Sequence, residues 1–150
     1  MKIKEFNIIT NIANDKTMTP IEKELATARV MEPTLTNEQI IGMSIEDFGT
    51  LIGTGNEFDM DADIASEFVA NKEQFILDGS VTDFKFTVGQ MIKIQIAMKQ
   101  DSMDYIHTVL ASVYNHKSMT FEEKEVFLKE NGEASFAAPF IKILSNKYIR

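Results

Sequence analysis

Apolar and polar positions along the chain alternate mostly at helical spacing, punctuated by capping signals. Thr19-Pro20-Ile21-Glu22 has the form of a capping box with proline at the first helical position. Ile21, Leu25, Ala28 and Met31 or Glu32 continue it at helical spacing, and Pro33 ends it, because the residue before a proline is pushed out of the helical region. Thr36-Asn37-Glu38-Gln39 is a second box and predicts a short helix through Ile40 and Ile41. Ser44-Ile45-Glu46-Asp47 predicts a third helix start, with Ile45, Phe48, Leu51 and Ile52 facing inward. Gly53-Thr54-Gly55-Asn56 reads as a loop, and Asp63 to Ala70 as a further helix with Ile64, Phe68 and Val69 apolar. Near the N-terminus, residues 3–13 fit either a helix face through Ile8, Ile9 and Ile12 or a strand through Phe6 and Ile8.

The centre has a different rhythm. Gln74 to Leu77, Asp78-Gly79, and Ser80 to Phe86 together predict a β-hairpin at roughly 74–86, because Asp-Gly supplies the positive φ angles of a type I′ turn. Thr87-Val88-Gly89-Gln90 then has the form of a helix cap. Ile92-Lys93-Ile94-Gln95-Ile96 has a period of two and β-branched residues, which suit a strand; the cap favours helix. A helix capped by Asp101 or Ser102 follows, with Ile106, Val109, Leu110 and Val113 on one stripe. Thr120-Phe121-Glu122-Glu123 opens another, ending near Asn131-Gly132. The last helix carries Phe136, Phe140, Ile141, Leu144 and Tyr148, with Pro139 tolerable only in its first turn. The sum is a mainly α chain with a small β-hairpin (α+β), about six to seven helices, in a single domain over 1–150.

Composition narrows the function. The chain has 150 residues, 44% hydrophobic and 25% charged, an ordinary globular balance that excludes a disordered or fibrous protein. The 23 acidic residues outnumber the 15 basic ones, for a net charge of -8, which opposes nucleic acid as a partner. Only Arg29 and Arg150 are arginines, so bidentate phosphate recognition is poorly served. With no Cys there is no disulfide framework, thiolate nucleophile or cysteine zinc site. The start Met1-Lys2-Ile3-Lys4 lacks the apolar core of a secretory signal, and no apolar run approaches membrane-spanning length. Synthesis in a cytoplasm and no membrane partner are the expectations.

Candidate chemistry is sparse. Asp59-Met60-Asp61-Ala62-Asp63 opens like an EF-hand loop, but Ile64 stands where the sharp turn needs Gly and Ala70 where a bidentate Glu is needed. A solvated acidic loop, with Asp63 capping the next helix, accounts for it. His107 and His116 lie nine residues apart, without metal-ligand spacing; His116 is expected near a helix C-terminus, where the dipole favours it. No nucleophile elbow, Walker loop or dinucleotide fingerprint is present. No catalytic, cofactor-binding or metal residues are assigned, and no cofactor is implied. Nine methionines suit core packing, with an adaptable interface as the other reading.

One stretch resembles a known pattern. Phe75-Ile76-Leu77-Asp78-Gly79, a short second strand, then Phe86-Thr87-Val88-Gly89-Gln90-Met91-Ile92, followed by Tyr105 to Tyr114, is similar to small virion-structure and tail-assembly proteins of crAss-like and other Bacteroides phages. The resemblance covers about residues 75–114. It implies a non-enzymatic role in the virion or its assembly: a head-tail or tail ring subunit, or packaged cargo. Partners would be other phage structural proteins, with self-association open to it. In that motif Gly79, Phe86, Thr87, Gly89 and Gln90 read as structural: Thr87 and Gln90 form the box and Gly89 permits close packing. A tail-assembly chaperone holding an apolar tape-measure segment is the alternative, and a small metal-dependent hydrolase a second one.

Overall fold

The structure is a computed structural model that describes residues 1–53, 59–78, 84 and 86–148. Among these residues it is mainly helical, with eight α-helices and one small antiparallel sheet. Contacts divide the chain into two compact units, Glu5–Glu57 and Met1–Lys4 with Phe58–Arg150. Each is built around its own buried residues.

The first unit holds most of α1 (Ile3–Ala13), with α2 (Pro20–Met31), α3 (Asn37–Ile41) and α4 (Ile45–Gly53). Residues 3–13, open between helix and strand in sequence, are helical. The Thr19–Glu22 and Thr36–Gln39 boxes are both formed, each threonine hydroxyl accepting the N3 backbone N–H. The Lys23 ammonium donates to the Ala13 carbonyl at 2.8 Å, satisfying a group at the end of α1 that has no partner inside that helix. Ala28 and Ile40 are the buried residues of α2 and α3. Ile45 departs from expectation: it is 92% exposed rather than inward. It stands at the first position of α4, so the remaining apolar residues, Phe48, Leu51 and Ile52, take the half-buried side without it.

The second unit centres on α6 (Ile106–Val113), in which every residue is buried. A helix buried on all sides must be surrounded, and here α7 (Phe121–Asn131) packs along it. The Lys124 ammonium of α7, itself buried, donates to the carbonyls of Ala111 and Tyr114 at 2.9 and 3.0 Å. This places a cation where the α6 dipole is negative and orphan carbonyls need donors. Thr108 Oγ1 donates to Glu125 Oε2 at 2.8 Å, a second polar tie between the two helices. α6 begins at Ile106, later than Asp101 or Ser102 would have it. Asp101 instead takes a left-handed backbone (φ 54) just beyond α5 (Val88–Lys99), a conformation that Asp tolerates better than most residues.

The sheet runs β1 (Glu67–Ala70), β2 (Glu73–Leu77) and β3 (Tyr114–Asn115), antiparallel in the order β1-β2-β3. It corrects one expectation, because residues 67–70 are strand rather than helix, and the hairpin seen among the described residues joins β1 to β2. The cause is the two-residue turn Asn71-Lys72, where both φ angles are positive, 45° and 68°. That turn matches the twist of flanking strands, and asparagine visits this region readily. The pairing buries Phe68, Ala70 and Phe75 on one face and leaves Val69 and Ile76 exposed on the other. Gly79, Ser80 to Asp83 and Lys85, which carried the expected turn and second strand, lie outside the described residues.

Around this sheet the aromatic rings collect. Phe68 stacks on Phe75 (5.2 Å) and Phe136 (4.6 Å) and meets Tyr114 edge-on at 4.7 Å. The Tyr114 hydroxyl donates to the Ala65 carbonyl at 2.7 Å, and burial pushes its pKa up to about 12. α8 (Ala138–Tyr148) adds Phe140, Ile141 and Leu144 to this core, with Pro139 in its first turn. The chain start is tied in by the Ile3 amide, which donates to the Gly132 carbonyl at 2.8 Å.

Candidate functional site

Both histidines are fixed by the fold, in opposite ways. His116 follows β3, and its side chain is only 2% exposed. Its Nδ1 accepts the backbone N–H groups of Ser118 (3.1 Å) and Met119 (3.2 Å). The ring proton therefore sits on Nε2, which lies 2.6 Å from Glu73 Oε2 and donates to it. Phe75 packs against the ring at 5.2 Å. A cleft of about 510 Å³ opens here, lined by Lys72, Glu73, Gln74, Ile76, Asn115 and His116, with Lys117 at its edge. With both nitrogens engaged, the imidazole has no lone pair free to take a substrate proton. The arrangement joins β2 to the turn that leads into α7. The helix C-terminus expected to hold His116 is served by Lys124 instead.

His107 lies in the first turn of α6 and is buried, and its Nδ1 has no hydrogen-bond partner. Burial pushes its pKa down to about 4, against a smaller upward pull from Asp104. It is a neutral core histidine, separate from the His116 cleft.

The acidic run is bound up locally. The Asp61 amide donates to Asp59 Oδ1 at 2.9 Å, and Asp61 pairs with Lys142 of α8. No helix follows Asp63, because the chain enters β1. Among the described residues, no group of three or more metal-ligating side chains comes together.

Of the motif residues, Thr87 Oγ1 accepts the Gln90 amide at 3.2 Å, and Gln90 Oε1 accepts the Thr87 amide at 2.9 Å, closing the box that starts α5. Phe86 stacks on Phe84 at 5.4 Å, and Phe84 meets Phe140 edge-on. At Gly89 a Cβ would meet, among the described residues, only Thr87 Oγ1 at 3.9 Å, so none of them approaches closely enough to demand glycine. Gly79 lies outside the described residues.

The remaining open features are apolar. In α5 a period-two sequence is wound as a helix that buries Ile94 and leaves Val88, Ile92 and Ile96 on its outer side, 78%, 52% and 51% exposed. Their four-residue spacing makes one continuous stripe. Met119, just before α7, and Val126 and Phe127 of that helix line a shallow groove of about 600 Å³ together with Glu122, Glu123 and Glu130. In the other unit, Ile21, Leu25, Ile41, Ile45 and Phe48 line a groove of about 240 Å³ between α2, α3 and α4. Sequence reasoning missed these surfaces. Helical spacing finds an apolar face but does not say whether anything covers it; the isoleucines at 92 and 96 read as core in either a helix or a strand.

The fold and its surfaces thus define a small, mainly α protein with one small sheet and exposed apolar helical faces. Comparison with protein families, curated proteins and solved structures found no match. Among the described residues no helix is long and apolar enough to cross a membrane.

Proposed function

We propose that this chain is a non-enzymatic bacteriophage structural protein, a virion component that works through protein–protein contacts. The observation that carries the reading is the exposure of large apolar side chains in rows on both compact units: Ile41 and Ile45 on one, Val88, Ile92 and Ile96 on the other. Scattered apolar residues on a surface need no explanation, but contiguous rows mark contact surfaces. The phage assignment rests on the resemblance of Phe86 to Ile92 and its flanks to small virion and tail-assembly proteins. It makes other phage structural proteins the partners, as in a head-tail or tail ring, or as packaged cargo. The chain is then made in the host cytoplasm and ends in the virion. The doubly engaged His116 weighs against the hydrolase reading.

The test substitutes both rows with aspartate (Ile41→Asp, Ile45→Asp, Ile92→Asp, Ile96→Asp) in the encoding phage. Incorporation into purified particles should fall at least tenfold, with the melting temperature of the isolated protein unchanged. Undiminished incorporation overturns the reading.

A further inference from the structure

The two apolar features of the second unit have opposite electrostatic surroundings. From Phe84 through Gln100 the sequence contains no Asp or Glu, so the stripe on α5 is set in a purely cationic segment. Lys93 flanks Ile92, and Lys99 lies one turn beyond Ile96; both lysines are exposed. The α7 groove is the converse: its apolar lining of Met119, Val126 and Phe127 is interleaved with Glu122, Glu123 and Glu130. Glu122 and Glu130 are exposed, and Glu130 pairs with the surface cation of Lys4 at 3.3 Å. The lengths agree as well. Val88 to Ile96 spans about 12 Å at a helical rise of about 1.5 Å per residue, within the roughly 16 Å of α7 with its 11 residues.

We propose that the α5 stripe of one copy of this chain seats in the α7 groove of another, with Lys93 and Lys99 against its glutamates. The inference rests on the reading of this protein as one that acts through protein–protein contacts, and specifies one such contact. Two different surfaces meet, so the contact is heterologous. Each added copy leaves a free stripe at one end and a free groove at the other, and growth continues until a ring closes or a filament forms. Burial of Val88, Ile92 and Ile96 supplies the attraction, and the lysine–glutamate match sets orientation and excludes other pairings.

Light scattering over a concentration series tests it on the full-length protein. The wild-type mass should rise with concentration past that of two 17.0 kDa chains. Lys93→Glu with Lys99→Glu should fall to a single chain, as should Glu122→Lys with Glu130→Lys. An equal mixture of the two variants should regain high mass, because each then offers the other a complementary stripe and groove. Ile92→Asp, an exposed single change, should lower the mass without altering the charge of the groove. A wild-type protein that stays a single chain overturns the self-docking, while leaving contacts with other phage proteins to the incorporation test. Association that neither charge reversal changes, or a mixture that fails to regain mass, also overturns it.

Discussion

The imidazole of His116 is bonded at both nitrogens, and Glu73 on the neighbouring strand is the partner of Nε2 at 2.6 Å. The pair fastens β2 to the turn that precedes α7, using two residues 43 positions apart in sequence. A polar group this buried stabilises only while its partner is present.

Glu73→Ala therefore leaves a buried N–H without an acceptor. Stability should drop by about 1–3 kcal/mol in urea unfolding. In a double-mutant cycle with His116→Ala, the coupling should be about 0.5–3 kcal/mol. Additive effects of the two single changes contradict the pairing.

Lys124 is the polar centre of the α6–α7 contact. Lys124→Met keeps most of the stem but removes donors from the Ala111 and Tyr114 carbonyls. About 1.5–3 kcal/mol of stability should be lost, the size expected for hydrogen bonds from a charged group. Exchange of the amide hydrogens over Ala111 to Tyr114 should accelerate, and unchanged protection there contradicts the capping role.

The glycines separate into two kinds. At Gly132 an added Cβ would sit 2.7 Å from the Leu128 carbonyl oxygen and 3.1 Å from Ile3 Cδ1, so Gly132→Ala should cost about 1–3 kcal/mol through forced displacement. At Gly89 the space is open and the backbone helical, so Gly89→Ala should leave stability unchanged or raise it by up to about 1 kcal/mol. Thermal unfolding checks both: the melting temperature should fall for Gly132→Ala and should not fall for Gly89→Ala.

His107 couples stability to pH. Its folded pKa is lowered to about 4, below the ordinary 6.5 that an unfolded chain has. The unfolded state then binds the proton first as pH falls. The stabilisation from this residue is whole above about pH 6.5 and is lost progressively down to about pH 4, by at most about 3 kcal/mol. Carboxylates titrate in the same range, so the measure is a comparison: His107→Leu should show a shallower fall in stability between pH 6.5 and 4 than the wild type. Parallel curves contradict the assignment.

Much of the fold is legible in the sequence because its signals are local. Thr19, Thr36, Thr87 and Thr120 each open a helix through a box closed within four residues. The strand at 67–70 is not legible in that way. Phe68 and Val69 fit a helix face as well as a strand, and only pairing with Glu73–Leu77 decides between them. The turn that permits this pairing, Asn71-Lys72, lacks the glycine that made Asp78-Gly79 the stronger signal. The Glu73–His116 pair and the Lys124 cap are long-range in sequence and follow from the packed arrangement rather than from spacing. The apolar stripe on α5 is legible as apolar but not as uncovered, since Ile94 and Ile96 have the same chemistry and opposite burial.

The exposed apolar rows are proposed to build this chain into an assembled particle. Quantitative mass spectrometry of purified virions of the encoding phage, set beside lysate from infected cells, tests it most directly. Several copies or more per particle are expected. Abundance in the lysate with none in the particles contradicts it and favours a chaperone that leaves before maturation.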